Sequence, residues 1–191
     1  MLENSKKINK AFILSGGLGS RIKLGQKQNI KAFIEIENEQ LLRRHIRLIK
    51  KNLNPEKIYV VITKFKSFFE ECIKSFEGVE LIFNDKISNQ KGVELLSAIK
   101  KIDKIINPKE NILLTLVDEY YEEGDFKNFC SAISSKSFST MVAIKKLGFP
   151  DEYLKNYAVD IDREKEVITN SVEKSKKIIS NFFGTGLICM N

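Results

Sequence analysis

The sequence predicts an α/β protein: a mostly parallel central sheet flanked by helices, with a small antiparallel hairpin late in the chain. Three observations carry this. Short apolar runs bounded by turn residues alternate with amphipathic stretches of about ten to fifteen residues, the pattern of βαβ units. Two of those runs, Ala11–Ser15 and Ile112–Val117, lack the alternation of a half-solvated strand, as strands buried on both faces do. Near the end, Tyr157–Ile161 and Glu166–Val172 flank Asp162-Arg163-Glu164-Lys165, which reads as a hairpin turn.

Each element has its own signal. Ala11–Ser15 is closed by a glycine pair and reads as a buried strand. Ala32–Ile36 is a second apolar-rich, strand-like run. From Glu39 to Asn52, Leu42, Ile46 and Ile49, continued by Leu53, recur at helical spacing, with Arg43, Arg44, Arg47, Lys50 and Lys51 on the other face. Pro55 stops that helix because proline has no N–H to continue the ladder. Ile58–Thr63 is β-branched and apolar, hence a strand. Phe65–Phe76 reads as helix, Val79–Phe83 as strand, and Gly92–Ile106 as a helix with Leu95, Ile99 and Ile102 on its apolar face. Ile112–Val117 is a strand ending at Asp118, Phe126–Ser135 a helix, and Thr140–Ile144 and Phe182–Met190 are extended.

Composition bounds the function classes. The 191 residues suit one domain spanning 1–191. A hydrophobic fraction of 42% excludes intrinsic disorder, and 10 Gly with 3 Pro exclude collagen-like and low-complexity chains. No apolar run approaches the ~18–20 residues of a membrane span, and the N-terminus lacks the apolar core of a signal peptide. Cys72, Cys130 and Cys189 are odd in number and far apart, which argues against disulfides and zinc and for a reducing cytoplasm. The net charge of +7 points to an anionic partner such as a nucleotide or sugar phosphate, and equally to a Lys-rich codon usage. No basic stretch carries interleaved aromatics, so nucleic acid is not the expected partner.

In open α/β sheets the ligand lies beyond the carboxyl ends of the strands. The loop after Ser15 and the strand end at Asp118 are therefore the places to search. Gly16-Gly17-Leu18-Gly19-Ser20-Arg21 fails the Walker A pattern, because Arg21 and Ile22 stand where Gly and Lys would be. It also fails the dinucleotide fingerprint at Ile22. What remains is Gly-Gly-x-Gly-Ser-Arg followed by a basic stretch ending at Lys31. Arg21 forks onto phosphate oxygens and Lys31 acts as a point charge, so both suit a polyphosphate. Asp118, emerging from an apolar strand, is the kind of carboxylate Mg²⁺ takes beside substrate phosphates, or else the cap of a turn.

The run Ala11–Arg21, then Lys31-Ala32-Phe33-Ile34-Glu35-Ile36 and the helix from Leu41, resembles the opening of the nucleotidyltransferases that make NDP-sugars and CDP-alcohols. The resemblance implies a GT-A-like, Rossmann-related fold. It implies that Ser15, Gly16, Gly17, Leu18, Gly19 and Ser20 wrap a nucleoside triphosphate, with Gly92 approaching the base. It further implies that Arg21 holds the β- and γ-phosphates, Lys31 the α-phosphate, and Asp118 the Mg²⁺ ion. Val172-Glu173-Lys174 resembles the family's Glu-Lys pair, whose lysine meets the acceptor phosphate, and Gly184-Thr185-Gly186 resembles its Thr-Gly strand, where Gly186 leaves room for the acceptor.

Departures are visible. Ile30 precedes Lys31 where the family has proline, Val117 precedes Asp118 where glycine is frequent, and Ser175 replaces a proline. The family's second metal-binding aspartate has no counterpart after Gly186. The expectation is that the chain lacks a C-terminal segment, uses a different second ligand, or binds metal more weakly.

The function implied is transfer of a nucleoside monophosphate from a nucleoside triphosphate to a small phosphorylated acceptor, a sugar-1-phosphate or a phospho-alcohol such as phosphocholine, with release of pyrophosphate. The alternatives are a glycosyltransferase using a finished NDP-sugar, for which Asp160-Ile161-Asp162 would be the metal motif, and a non-catalytic nucleotide-binding module. The position of Asp160 and Asp162 beside a hairpin turn favours a structural role. His45, among the arginines of an amphipathic helix, is expected at the surface or its boundary.

Overall fold

A computed structural model describes residues 7–16, 30–85, 93–146, 157–173 and 180–191. The chain divides into two compact units, Met1–Thr140 with Cys189–Asn191, and Met141–Ile188.

The first unit is built on strands β1 (Lys10–Leu14), β4 (Lys57–Ile62), β5 (Val79–Phe83) and β6 (Ile112–Leu116), all parallel. Their spatial order is β5-β4-β1-β6. After β1 the chain makes a short 3-10 turn at Lys31–Phe33 and a two-rung hairpin, β2 (Glu35–Ile36) with β3 (Glu39–Gln40). Glu37 and Asn38 at its tip both have positive φ, 53° and 61°, as the tightest hairpin turn requires. The run Ala32–Ile36, expected to be one strand, is therefore split. Its first half curls so that Ala32 is buried, and its second half pairs locally instead of joining the main sheet.

Helix α1 (Leu41–Asn52) follows directly. It ends with the N–H groups of Leu53 and Asn54 both on the Ile49 carbonyl, Asn54 at φ 43°, and Pro55 next, a left-handed stop reinforced by proline. Helices α2 (Lys66–Ile73), α3 (Val93–Asp103) and α4 (Glu123–Ser135) complete the unit among the described residues. Glu123 opens α4, where a carboxylate suits the helix dipole, and Lys51 and Arg47 of α1 hold its carboxyl down to about 2. Of the residues expected on the apolar face of α3, Ile102 is buried as expected, while Leu95 and Ile99 are exposed and Ala98 is buried beside Ile102.

The core is the apolar filling of β1, β4 and β6 under α1. Phe12, Ile13, Val60, Leu113, Leu42, Ile46 and Ile49 have essentially no exposed surface. Phe12 stacks on Tyr59 of the neighbouring strand, centroids 5.2 Å apart.

The second unit is antiparallel. β8 (Tyr157–Asp162) pairs with β9 (Val167–Glu173) around the expected turn, β10 (Phe182–Met190) pairs with β8, and β7 (Thr140–Lys146) pairs with β10. Asp162 Oδ1 accepts from the N–H groups of Glu164 and Lys165 at 3.0 and 3.1 Å, so this carboxylate closes the turn. Parallel strands with helices plus a late antiparallel hairpin are the predicted fold class.

Truncating Phe12 to Ala is expected to lower stability by about 3–5 kcal/mol, since the site cannot collapse around the void; urea denaturation of the two proteins checks it.

Candidate functional site

Renumbered in chain order, the parallel strands run 3-2-1-4, so the strand order reverses beside the first strand and opens a crevice between it and the fourth. That crevice lies between β1 and β6. Their register pairs Leu14 with Leu116, so the residues next out, Ser15 and Val117, leave the sheet together. The Val117 N–H donates to the Leu14 carbonyl at 3.1 Å and holds the two exits side by side.

A cavity of about 280 Å³ opens there. All four strand ends reach it: Ser15 and Gly16 from β1, Thr63 from β4, Asn84 from β5, Val117 and Asp118 from β6. Lys31 enters from the 3-10 turn, whose flanking Ile30 and Ala32 are buried. Gly16 is held by the Thr63 hydroxyl, which donates to its carbonyl at 3.0 Å. A Cβ on Gly16 would come within 3.1 Å of the Thr63 methyl, so a larger residue fits only if that methyl gives by a few tenths of an ångström. Ser97 of α3 donates to Asn84 Oδ1 at 2.8 Å, both side chains buried. The Ser15 hydroxyl is buried with no hydrogen-bond partner among the described residues, an arrangement that costs about 1–3 kcal/mol unless a ligand atom satisfies it.

The Lys31 ammonium is ion-paired with Asp118 Oδ2, the two side chains 30% and 38% exposed. Residues 87 positions apart thus form one cation–carboxylate pair on the cavity wall. An ion pair this accessible contributes about 0–1 kcal/mol. It is weak enough to exchange, the lysine for a phosphoryl oxygen and the carboxylate for a divalent cation.

Behind Asp118 the first turn of α1 is buried. Arg44 is 6% and His45 1% exposed, against the expectation of Arg44 on the polar face and His45 at the surface or its boundary. The Glu119 carbonyl can only accept, so His45 Nε2 carries the proton and donates at 2.8 Å, leaving Nδ1 to accept from the Thr115 hydroxyl at 3.3 Å. Burial pushes the His45 pKa down to about 4, with Arg44 adding to it while the Glu119 hydrogen bond and Asp118 oppose it. Arg44 Nε donates to the Tyr121 carbonyl at 3.0 Å, and its guanidinium lies 4.3 Å over the Tyr120 ring.

Of the residues singled out in the sequence, Ser15, Gly16, Lys31 and Asp118 meet at this cavity. Gly186 lies in β10 of the second unit. Gly17, Leu18, Gly19, Ser20, Arg21, Gly92 and Lys174 lie outside the described residues. Thr63 and Asn84 were missed, although the strand-end rule applied to β4 and β5 as it was to β1 and β6 would have found them.

Gly16, a lysine and a strand-end carboxylate around such a crevice are the setting of a nucleotide-handling α/β protein. The comparisons narrow this. The sequence model of the nucleotidyl transferase family matches residues 10–189, and the chain belongs to that family. It is 30% identical over 93 residues to a choline-phosphate cytidylyltransferase of Streptococcus pneumoniae, a match covering 48% of this chain and 39% of that protein's length. The fold is shared with a Bacillus anthracis protein described as a glucose-1-phosphate thymidylyltransferase (TM-score 0.77, 15% identity, covering 95% of this chain and 71% of the other). It is shared also with the inositol-1-phosphate CTP transferase of T. maritima (TM-score 0.71, 16% identity, 96% and 71%). A UDP-glucose pyrophosphorylase complexed with UDP-glucose is equally similar (TM-score 0.71, 17% identity, 96% and 76%).

Two outcomes are expected. Asp118→Asn should change unfolding stability by no more than about 1 kcal/mol, as an accessible pair predicts; denaturant titration reads this. Folding favours neutral His45, so its stabilisation is complete above pH 6.5 and is lost as pH falls from 6.5 to about 4, by up to about 3 kcal/mol. His45→Gln should flatten stability against pH in that window.

Proposed function

We propose that this chain transfers a nucleoside monophosphate from a nucleoside triphosphate to a small phosphate monoester and releases pyrophosphate. The observation that carries the reading is the convergence of Lys31 and Asp118 at the β1–β6 crevice, beside a Ser15 hydroxyl with no hydrogen-bond partner among the described residues, in a chain of this family. Sugar-1-phosphates and phosphorylated alcohols are the acceptor classes, and the S. pneumoniae relative favours a phospho-alcohol such as phosphocholine.

An acceptor phosphate oxygen attacks the α-phosphorus in line; a new P–O bond forms there and the bond to the β-phosphate oxygen breaks. The attacking oxygen is already ionised near pH 7, since the second pKa of a phosphate ester is about 6, so no general base is needed. The cysteines fit that picture: all three are buried and in no disulfide, and burial pushes the Cys130 thiol up to about 12, far from a reactive thiolate. Catalysis then rests on positioning and charge. Lys31 neutralises charge growing on the α-phosphoryl oxygens, Ser15 and Gly16 shape the cavity wall against the nucleotide, and Arg21 receives the departing pyrophosphate.

Asp118 suits the family's divalent ion, Mg²⁺, because it presents one hard carboxylate at the cavity, and Mg²⁺ takes one or two such groups along with substrate phosphates. Held there, the ion would supply charge neutralisation to the polyphosphate. Lys174 and Gly186 are the proposed acceptor residues, and the cytoplasm the proposed location. Among the described residues no helix is long and apolar enough to cross a membrane.

A pyrophosphate-release screen crossing the four nucleoside triphosphates with a panel of phosphate monoesters in Mg²⁺ tests this. Release that needs both substrates is the expected result; triphosphate binding without release under every pairing would mark a binding module. With the active pair, Lys31→Ala and Asp118→Ala should each lower kcat/KM by about 10²-fold or more, the scale of losing one electrostatic stabiliser.

A further inference from the structure

We infer that Arg44 and His45 are positioning residues that aim the Asp118 carboxylate by gripping the backbone immediately after it. The inference rests on the metal-holding role proposed for Asp118.

Asp118 sits in a turn two residues past the end of β6, beyond its ladder to β1, with the Glu119 N–H on the Leu116 carbonyl at 3.4 Å. The segment that follows, Glu119–Tyr121, makes no strand or helix. Two side chains of the first turn of α1 take up its carbonyls: His45 Nε2 that of Glu119 at 2.8 Å, and Arg44 Nε that of Tyr121 at 3.0 Å. Both donors are buried, so these bonds form out of competition with water.

The donors are themselves fixed. With the tautomer set by the Glu119 carbonyl, His45 Nδ1 accepts from the Thr115 hydroxyl of β6, so one imidazole joins the strand to the segment beyond it. Tyr121 packs edge-on against the His45 ring with centroids 5.4 Å apart. Arg44 is stacked on Tyr120, whose hydroxyl donates to Glu37 of the β2–β3 hairpin at 2.7 Å, and Arg44 Nη1 lies 3.6 Å from both Glu37 and Glu39 carboxylates. The hairpin follows directly on the 3-10 turn that presents Lys31. One cluster, buried at Arg44 and His45 and exposed where Tyr120 meets Glu37, therefore braces the strap behind the carboxylate and the hairpin beside the lysine.

Groups that orient a metal-binding side chain without touching the metal typically change metal affinity by about 10–100-fold when removed. A merely structural Arg and His would lower stability and leave that affinity alone. The test reads Mn²⁺ binding to the full chain by electron paramagnetic resonance, alone and with α,β-methylene nucleoside triphosphates of the four bases, so that no turnover intervenes.

His45→Leu is expected to weaken Mn²⁺ binding by about 10-fold or more, with metal-free binding of the triphosphate analogue near the wild-type value. His45→Gln places an amide N–H close to Nε2 and should restore the affinity. Wild-type Mn²⁺ affinity in His45→Leu, or an equal loss in His45→Gln, overturns the inference. Should His45→Leu not fold, Arg44→Lys decides. It keeps the charge but not the Nε donor, so loss of Mn²⁺ affinity upholds the role and an unchanged affinity overturns it. A wild-type protein that binds no Mn²⁺ and releases no pyrophosphate removes the proposed function as well. Binding that is lost in Asp118→Asn but indifferent to both α1 variants removes this inference alone.

Discussion

The pairing of β1 with β6 is the constraint on which the site depends. Parallel strands cannot be joined by a tight turn, so each connection must travel back along the sheet. Once β4 and β5 are laid on one side of β1 and β6 on the other, two of those connections diverge and leave a gap at the carboxyl edge. The register Leu14–Leu116 then decides what lines the gap. A slip of one residue would reverse the faces of every side chain in β6 and turn Leu113 and Thr115 away from their present surroundings. With β1, β4 and β6 filled mainly by buried side chains, such a slip would cost several of them at about 1.5–3 kcal/mol each. The burial of the core thus holds a carboxylate in place although the carboxylate contributes almost nothing to stability.

The charges divide along the same line. Around the cavity the Lys31–Asp118 pair is accessible and exchangeable. Behind it, Arg44 and His45 are out of water, and removing a buried charge from its partners is far more damaging than breaking a surface pair. Arg44 meets this requirement with a carbonyl, an aromatic face and two carboxylates. His45 meets it by staying neutral. The molecule therefore places its rigid polar contacts one layer away from where a ligand would sit, and leaves the exchangeable ones at the surface of the cavity.

Much of this is legible in the sequence, because the signals involved are local. The apolar run Ile112–Val117 marks a buried strand whichever partners it finds, and Pro55 ends a helix without reference to the rest of the chain. The glycine turn after Ser15 and the carboxylate after an apolar strand are likewise local, and the strand-end rule joins them before any coordinates are known. What is not legible depends on partners distant in sequence. Ala32–Ile36 has strand composition, but a 3-10 turn wins because burying Ala32 and Ile30 there brings the chain into a two-rung hairpin. Leu95, Ile99 and Ile102 fit one helical stripe, yet only Ile102 takes the core side, joined there by Ala98.

Arg44 and His45 show the limit most clearly. A helical wheel assigns charge to solvent because a lone buried cation is prohibitive in an apolar medium. That rule holds when nothing polar packs against the helix. Here the backbone of 119–121 lies against α1 with carbonyls that no strand or helix consumes, and backbone acceptors left dry are as costly as unpaired donors. Each side's cost is cancelled by the other: the segment cannot be buried without donors, and the donors cannot be buried without the segment. Neither half carries a mark of this in its own residues, since it arises only from packing a helix beginning at residue 41 against a segment beginning at residue 119. The same mutual dependence makes these two side chains responsive to whatever moves the strap, and so couples them to the carboxylate at its root.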